Sequence, residues 1–460
     1  MESHAVELAR LLEALTGQRA PLPEGVQLLG RFPSSGLGYS QLNELLLLLG
    51  YDRITHAFFQ FVVDDTLEYI PGCAIRTLAD FQTGVERARR LSLLFFGNVK
   101  FGFKKLARDA DELAFYHAST RPLDPETLKQ RHNPIHPIAP IDAAETFYLG
   151  YVVQREIEAA LKKNPADQEA LAAQASSKRV QAAGIRNHQA YLVSDHLDVY
   201  IATSMRRRHE YAEVSEFANR LFSEDKLKSL GLRWFDPTQA YCTERIDKGL
   251  AEALMLKRAK CTVYLAQESD TLGKDSELAS TLAQGKPVIA FVPSPTPEDI
   301  KASVSRLANL YCKSEEQVIL DRLQALAPDL PWQDPQIRQW LDSPEKIDRE
   351  AALERLIQTA TTHYRRRAET LIESHPLGIQ VNLDTGVANG VLVVRSIAHC
   401  AELIYRIVTR TLDFRVEDKE IDKSSYQILR ERVSNCVFRV MTGDAMLTNA
   451  FWNFYLEPSE

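Results

Sequence analysis

One acid, Glu277, stands between two apolar runs, Cys261 to Ala266 (CTVYLA) and Pro287 to Val292 (PVIAFV), where a helical stretch opens. A carboxylate at the mouth of a sheet can act as a nucleophile, exchange a proton, or stabilise a developing cation. The same region offers further acids: Asp270 and Asp275 beside Gly273, Asp247 ahead of the first run, and Asp236 before a proline. Upstream, Thr203-Ser204-Met205-Arg206-Arg207-Arg208 sets hydroxyls and three guanidinium groups where the run Asp198 to Ala202 (DVYIA) gives way to a helical pattern. Backbone N–H groups at such a junction favour an anion, and arginine forks add charge-assisted bonds to phosphate, with Arg206 the first expected contact. Plainer readings stand beside these. Glu277 alone is an acid favoured by a helix dipole, Asp236 and Asp247 read as helix caps, and the arginines read as a solvated basic helix start.

These residues need elements to position them. The β-branched and aromatic runs Asp198 to Ala202, Leu232 to Phe235, Cys261 to Ala266 and Pro287 to Val292 read as strands. Helical patterns separate them: Glu210 to Leu221, Ile246 to Arg258 and Ser276 to Gln284. Strands alternating with helices of this length require crossover connections and a parallel sheet. The fold class expected is therefore α/β: a small doubly wound, flavodoxin-like sheet domain over 193–295, embedded between mainly α-helical N- and C-terminal regions. Ligands of open parallel sheets sit outside the carboxyl ends of the strands. The loops after the first three strands are thus expected to converge on one crevice.

The chain has 460 residues, 45% apolar and 25% charged, enough for a core of normal size. A helical domain is expected over 1–145, ending in the proline-rich RHNPIHPIAPID, then a helical connector over 146–192 and a mainly helical domain over 296–460. Helical patterns in that last part are Pro297 to Leu310, Asp348 to Ser374 and Val391 to Leu412, with a strand-like alternation in HPLGIQVNLDTGVANGVLVVR. The net charge of -7 argues against a nucleic-acid-binding protein as a whole. The segment GVERARRLSLLFFGNVKFGFKKLARD, basic and aromatic, reads first as a solvated helical face and second as a contact for an anionic partner. The six cysteines are scattered without metal-ligand spacing, so no metal and no cofactor are expected. No apolar run is long enough to cross a bilayer, and the N-terminal MESHAVELARLLEAL reads as an amphipathic helix; a cytoplasmic protein is expected.

The stretch CTVYLAQESDTLGKDSELASTLAQGKPVIAFV, with its apolar strand, acidic loop containing Gly273, Glu277 opening a helix, and Gly285-Lys286-Pro287-Val288-Ile289 turn, resembles the nucleoside 2-deoxyribosyltransferase family. More distantly it is similar to the Toll/interleukin-receptor (TIR) and related nucleotide-binding domains of the same architecture. The resemblance spans residues 197–293 of the 460. It implies Glu277 as nucleophile, Asp270 or alternatively Asp275 as the carboxylate contacting the base, Asp247 as a further acid, and Tyr200 as an aromatic holding the nucleoside. The chain departs from the pattern in a loop one residue shorter and in Asp275-Ser276 where the family has a small-aromatic pair. The triple arginine is foreign to enzymes of free nucleosides and implies a phosphorylated substrate.

Cleaving an N-glycosidic bond builds positive charge on the ribose, which a carboxylate beneath the anomeric carbon stabilises. A neutral base also needs an acid to protonate it, Asp270 or Asp247, whereas the nicotinamide of NAD is already cationic. The expectation is an N-glycosidase acting on NAD or another nucleotide. By analogy with effectors that carry a nucleotide-destroying domain among helical regions, it would deplete a nucleotide in anti-phage defence. Alternatives are a base-exchanging deoxyribosyltransferase and a non-catalytic nucleotide sensor. The helical regions imply a protein partner or homo-oligomer, with nucleic acid reached only through a partner and no membrane.

Overall fold

In the computed structural model, the residues described are 33–48, 54, 56–66, 68–84, 125–126, 138–194, 197–268, 271–284, 286–373, 381–382, 387–421 and 424–442. Near the N-terminus, β1 (Leu37–Gly38) and β2 (Ala74–Ile75) pair antiparallel beside α1 (Tyr39–Leu48) and α2 (His56–Asp64). The basic-aromatic segment, most of the proline-rich stretch, Asp270 and the aromatic tail at 451–455 lie outside the described residues.

The expected connector is a pair of helices, α3 (Tyr151–Lys163) and α4 (Gln168–Val193). Asp167 starts the second by accepting the N–H groups of Glu169 and Ala170, which an N-cap must satisfy. Gly184 lets α4 meet the loop at 240–241. A Cβ there would lie 2.7 Å from that of Tyr241, whose N–H donates to the Gly184 carbonyl.

The parallel sheet starts with β3 (Val199–Ala202), followed by α5 (Arg208–Phe222) and the short α6 (Asp225–Lys228). Next come β4 (Trp234–Phe235), α7 (Arg245–Arg258), β5 (Cys261–Leu265), α8 (Leu272–Ala283) and β6 (Val288–Phe291). Every residue of β3, β5 and β6 is buried, because helices cover both faces of the sheet. Alternation sorts the side chains. Tyr200, Thr262 and Tyr264 face α8, where Thr262 bonds Thr281 and Tyr264 bonds Asp275. Phe291 points the other way, onto Phe217 of α5.

After β6 the chain leaves the sheet for α9 (Pro297–Tyr311), α10 (Glu315–Leu326), α11 (Leu330–Gln333), α12 (Pro335–Asp342) and the long α13 (Arg349–Glu373). Helices α9, α10 and α12 and the first half of α13 share their own apolar cluster, which includes Ile319, Leu323, Trp340 and Leu356. The second half of α13 joins the core of the sheet through Tyr364, Ala368 and Leu371.

The remainder adds strands to a C-terminal region that is otherwise mainly helical, as expected. It contains β7 (Val381–Asn382), β8 (Val387–Asn389), β9 (Val391–Val394), α14 (Ile397–Val408), β10 (Phe414–Ile421), β11 (Ser424–Glu431) and β12 (Val437–Thr442). Val391 to Leu412 is not one helix. Its first four residues, Val-Leu-Val-Val, form a buried strand parallel to β6, and Ser396 caps the helix behind them. β-branched side chains fit a sheet better than a helical turn, and full burial decides the matter. The parallel sheet thus extends past the expected 193–295 boundary. Among the described residues it has five strands in the order β4-β3-β5-β6-β9, the doubly wound order in which the first strand lies between the second and the third. A separate antiparallel sheet runs β10-β11-β12-β8-β7. Gly390 lies where β8 passes into β9. Its N–H donates to the Phe438 carbonyl, and a Cβ would fall 1.7 Å from the Val437 oxygen, so only glycine fits.

Candidate functional site

From β3 the chain winds toward β4, and from β5 it winds the opposite way toward β6, so the carboxyl ends of β3 and β5 flank the topological switch point. The two loops leaving it are tied together. Gln267 Oε1 accepts the Ser204 N–H at 2.7 Å, and Gln267 Nε2 donates to the Ser204 carbonyl at 2.9 Å. The Ser204 hydroxyl reaches Thr271 Oγ1 at 3.3 Å, and Thr271 is the N-cap of α8. Thr203 Oγ1, at the end of β3, is buried with no hydrogen-bond partner among the described residues.

Because Thr271 caps α8, the helix starts at Leu272 and Glu277 sits in its second turn, not at its opening. The dipole explanation therefore does not account for Glu277. Its side chain turns to the sheet, where the buried Tyr200 donates to Oε1 at 2.7 Å. Tyr200 is held in place by stacking on Phe235, with centroids 5.2 Å apart and planes at 19°. Burial pushes the Glu277 carboxyl up to about 8; the Tyr200 bond opposes this, the negative Glu252 adds to it, and Lys248 and Lys274 oppose it. Burial likewise raises Tyr200, reinforced by Glu277 and Glu252, and raises Glu252, where Lys248 opposes.

Glu252 is the residue that sequence reading passed over. It lies on α7, with Lys248 Nζ 3.7 Å from its Oε1, on the stripe that also buries Ala251 and Met255. The available signal was an acid spaced one turn from both a lysine and apolar positions that face inward. Sequence reading preferred Asp247. Five residues away on a helix is a different side, and Asp247 is exposed, its charge felt by His188.

The other expected site residues have structural employment. Asp236 is buried and accepts the Thr238 N–H and hydroxyl at 2.8 and 2.7 Å, capping the turn that follows β4; burial raises its carboxyl to about 6. Asp275 accepts from the Tyr264 hydroxyl at 3.0 Å and lies 3.8 Å from Arg367 of α13. Gly273 is exposed in the first turn of α8, and a Cβ there would meet only Thr271 Oγ1 at 3.9 Å. Met205 is half-buried and packs between two apolar clusters. The N–H groups of Arg206 and Arg207 are both taken by Glu210 Oε2, at 2.6 and 2.8 Å, so the helix start carries its own anion.

The expected single crevice also needs correction. The arginine side chains line a cleft of ≈ 670 Å³ between the loop at 206–209, the start of α3 and helices α9 and α10. No residue of α7 or α8 lines that cleft, and Asp236 does not reach it. The loops after β3 and β5 meet, and Glu268 of the second reaches the arginine cleft, but Glu277 is carried to the other side of the sheet because α5 and α8 pack on opposite faces.

Fold and site together define a doubly wound α/β protein with a carboxylate–tyrosine–carboxylate constellation at its switch point. Set beside family models, curated proteins and solved structures, the chain matches none. Among the described residues no cluster of His, Cys, Asp and Glu is placed to hold a metal ion, and no helix is long and apolar enough to cross a membrane.

Proposed function

We propose that the chain is an N-glycosidase that cleaves the base–ribose bond of a nucleotide, with Glu277 as the carboxylate beneath the sugar. The observation that carries this reading is the Tyr200–Glu277 hydrogen bond with Glu252 alongside, at the place where doubly wound sheets bind ligands. As the C–N bond breaks, its electron pair leaves with the base and the ribose becomes oxocarbenium-like. An ionised Glu277 stabilises that cation or bonds to the anomeric carbon, and water then completes hydrolysis.

Burial keeps Glu277 largely protonated at neutral pH. A cationic group entering the site favours the carboxylate form, so a substrate whose base already carries positive charge ionises the residue it needs. This supports nicotinamide in NAD over a neutral base, which would require Glu277 or Glu252 to donate a proton first. In a cell such turnover would deplete the nucleotide pool.

The test incubates the purified chain and Glu277→Gln with NAD and a panel of nucleotides and follows released base by chromatography. Base release that falls by about 100-fold or more in the variant supports the reading. Equal release by both proteins overturns the role of Glu277. A new nucleoside formed only when a second base is added makes the reaction a transfer through the same intermediate.

A further inference from the structure

The cleft beside the arginine loop is a second site in its own right. Its volume of ≈ 670 Å³ falls in the range of small-molecule pockets. Arg206, Arg207 and Arg208 contribute three guanidinium groups, and among the described residues none has a carboxylate at ion-pair distance. Two of the three acids at the cleft are already matched: Glu268 by Arg322, and Asp321 by Lys313 at 2.7 Å. That leaves Glu156, with Glu210 bound to the backbone behind the loop, against the three arginines, an excess of positive charge. Arg208 lies over the Phe147 ring at 4.1 Å, yet its Nε is buried with no hydrogen-bond partner. A buried donor left unmatched in a folded chain asks for an acceptor.

The opposite wall has different chemistry. Leu307, Leu310 and Val318 present an apolar surface, and Tyr311 is fixed by His209 Nδ1, 2.8 Å from its hydroxyl. A ligand matched to both walls carries phosphate at one end and a flat, weakly polar ring at the other. Since Glu210 already occupies the Arg206 and Arg207 N–H groups, the phosphate must be read by guanidinium forks and not by the helix start.

We propose that this cleft binds a nucleotide, gripping its phosphate through Arg206, Arg207 and Arg208 and resting its ring against α9 and α10, separately from the Glu277 site. The proposal does not depend on the glycosidase reading. An occupant touches both the sheet domain and the helical insertion, so it favours their docked arrangement over any other.

ADP binding to the full chain, followed by calorimetry at low salt, tests this, with adenosine and inorganic phosphate as partial ligands. ADP is expected to bind saturably and about tenfold or more tighter than adenosine or phosphate. Arg206 and Arg207 are exposed, so Arg206→Ala/Arg207→Ala keeps the wild-type melting temperature while weakening ADP by about tenfold or more. Glu277→Gln leaves ADP affinity within about twofold, although it removes the carboxylate of the proposed reaction. Absence of saturable ADP binding, ADP binding no tighter than adenosine, or an unaffected double arginine variant would each overturn the site. Loss of ADP binding in Glu277→Gln comparable to that of the arginine variant would place the nucleotide on the other side of the sheet and overturn it as well.

Discussion

The Tyr200 hydroxyl lies 2.7 Å from Glu277 Oε1 and joins the first parallel strand to the second turn of the helix after the third. The donor comes from a buried, stacked ring, so its direction is set by the sheet and not by the side chain's own torsional freedom. The half-buried Glu277 carboxyl thus keeps this donor in a place where burial disfavours its charge.

Tyr200→Phe removes the donor and keeps the stack on Phe235. Tyr200 is the main group drawing the Glu277 carboxyl back down, so in the variant it moves above its present value of about 8. A pH–rate profile, or carboxyl NMR of Glu277, will show the titration displaced to higher pH, with a stability loss of about 1 kcal/mol. An unmoved titration would mean that the bond contributes nothing to the acid.

Glu277→Gln should stabilise the chain. The folded value of about 8 exceeds the ordinary 4.5, so between these limits the folded chain binds a proton that the unfolded chain has released. Stability therefore falls as pH rises through that window. Glutamine cannot ionise and still accepts from Tyr200. Denaturant melts at a series of pH values should find the variant level with wild type near about pH 4 and more stable at pH 8, by about 3 kcal/mol once solvent screening of the half-buried carboxyl is discounted from the full linkage value of about 4 kcal/mol. Parallel stability curves would contradict the buried-acid assignment.

Two neighbours act with opposite signs. Glu252 pushes the Glu277 carboxyl up and Lys248 pulls it down, so Glu252→Gln lowers its titration and Lys248→Met raises it. The same NMR experiment reads both. Shifts of equal sign would show that the two residues act through packing and not charge.

Arg322 is the link between the helical insertion and the loop that precedes α8. Its guanidinium pairs with Glu268 and donates to Ser303, and it also opposes the burial that lifts Glu213 to about 7. Arg322→Met leaves those acids with less cation around them, and a loss of about 2–3 kcal/mol is expected. Hydrogen exchange should quicken first in α9 and α10, because their hold on the sheet domain is what the substitution releases.

Gly390→Ala tests the seam between the two sheets. The added methyl would meet the Val437 carbonyl at 1.7 Å, a backbone atom that cannot move without disturbing the β8–β12 pairing. Thermal denaturation should register a loss of about 3 kcal/mol or failure to fold.

Much of the parallel sheet is legible in the residues themselves. Val199 to Ala202, Cys261 to Leu265 and Val288 to Phe291 are short apolar runs between amphipathic helices, a pattern with few other solutions. β9 falls in both a strand-like and a helical reading because its Val-Leu-Val-Val runs into Ser396 and an apolar helix with only Arg395 between, and periodicity over four residues cannot separate strand from helix. The start of α8 escaped for a similar reason: Gly273 and Asp275 read as loop, while Thr271 was already capping the helix.

The sequence by itself determined the α/β class and the alternation of strands and helices through the first four strands, since these follow from local periodicity; Glu277 and Tyr200 were singled out by what the family resemblance implies. Only the tertiary structure decided that Glu252, not Asp247, faces that pair, that Asp236 and Asp275 are spent on caps and ion pairs, and that the arginines open onto a different cleft. Those outcomes depend on which side of a helix or sheet a residue falls, and on what a distant helix brings opposite it. A difference of one residue in a strand, or five in a helix, turns a side chain to another face, and the partner it then meets lies far away in the chain.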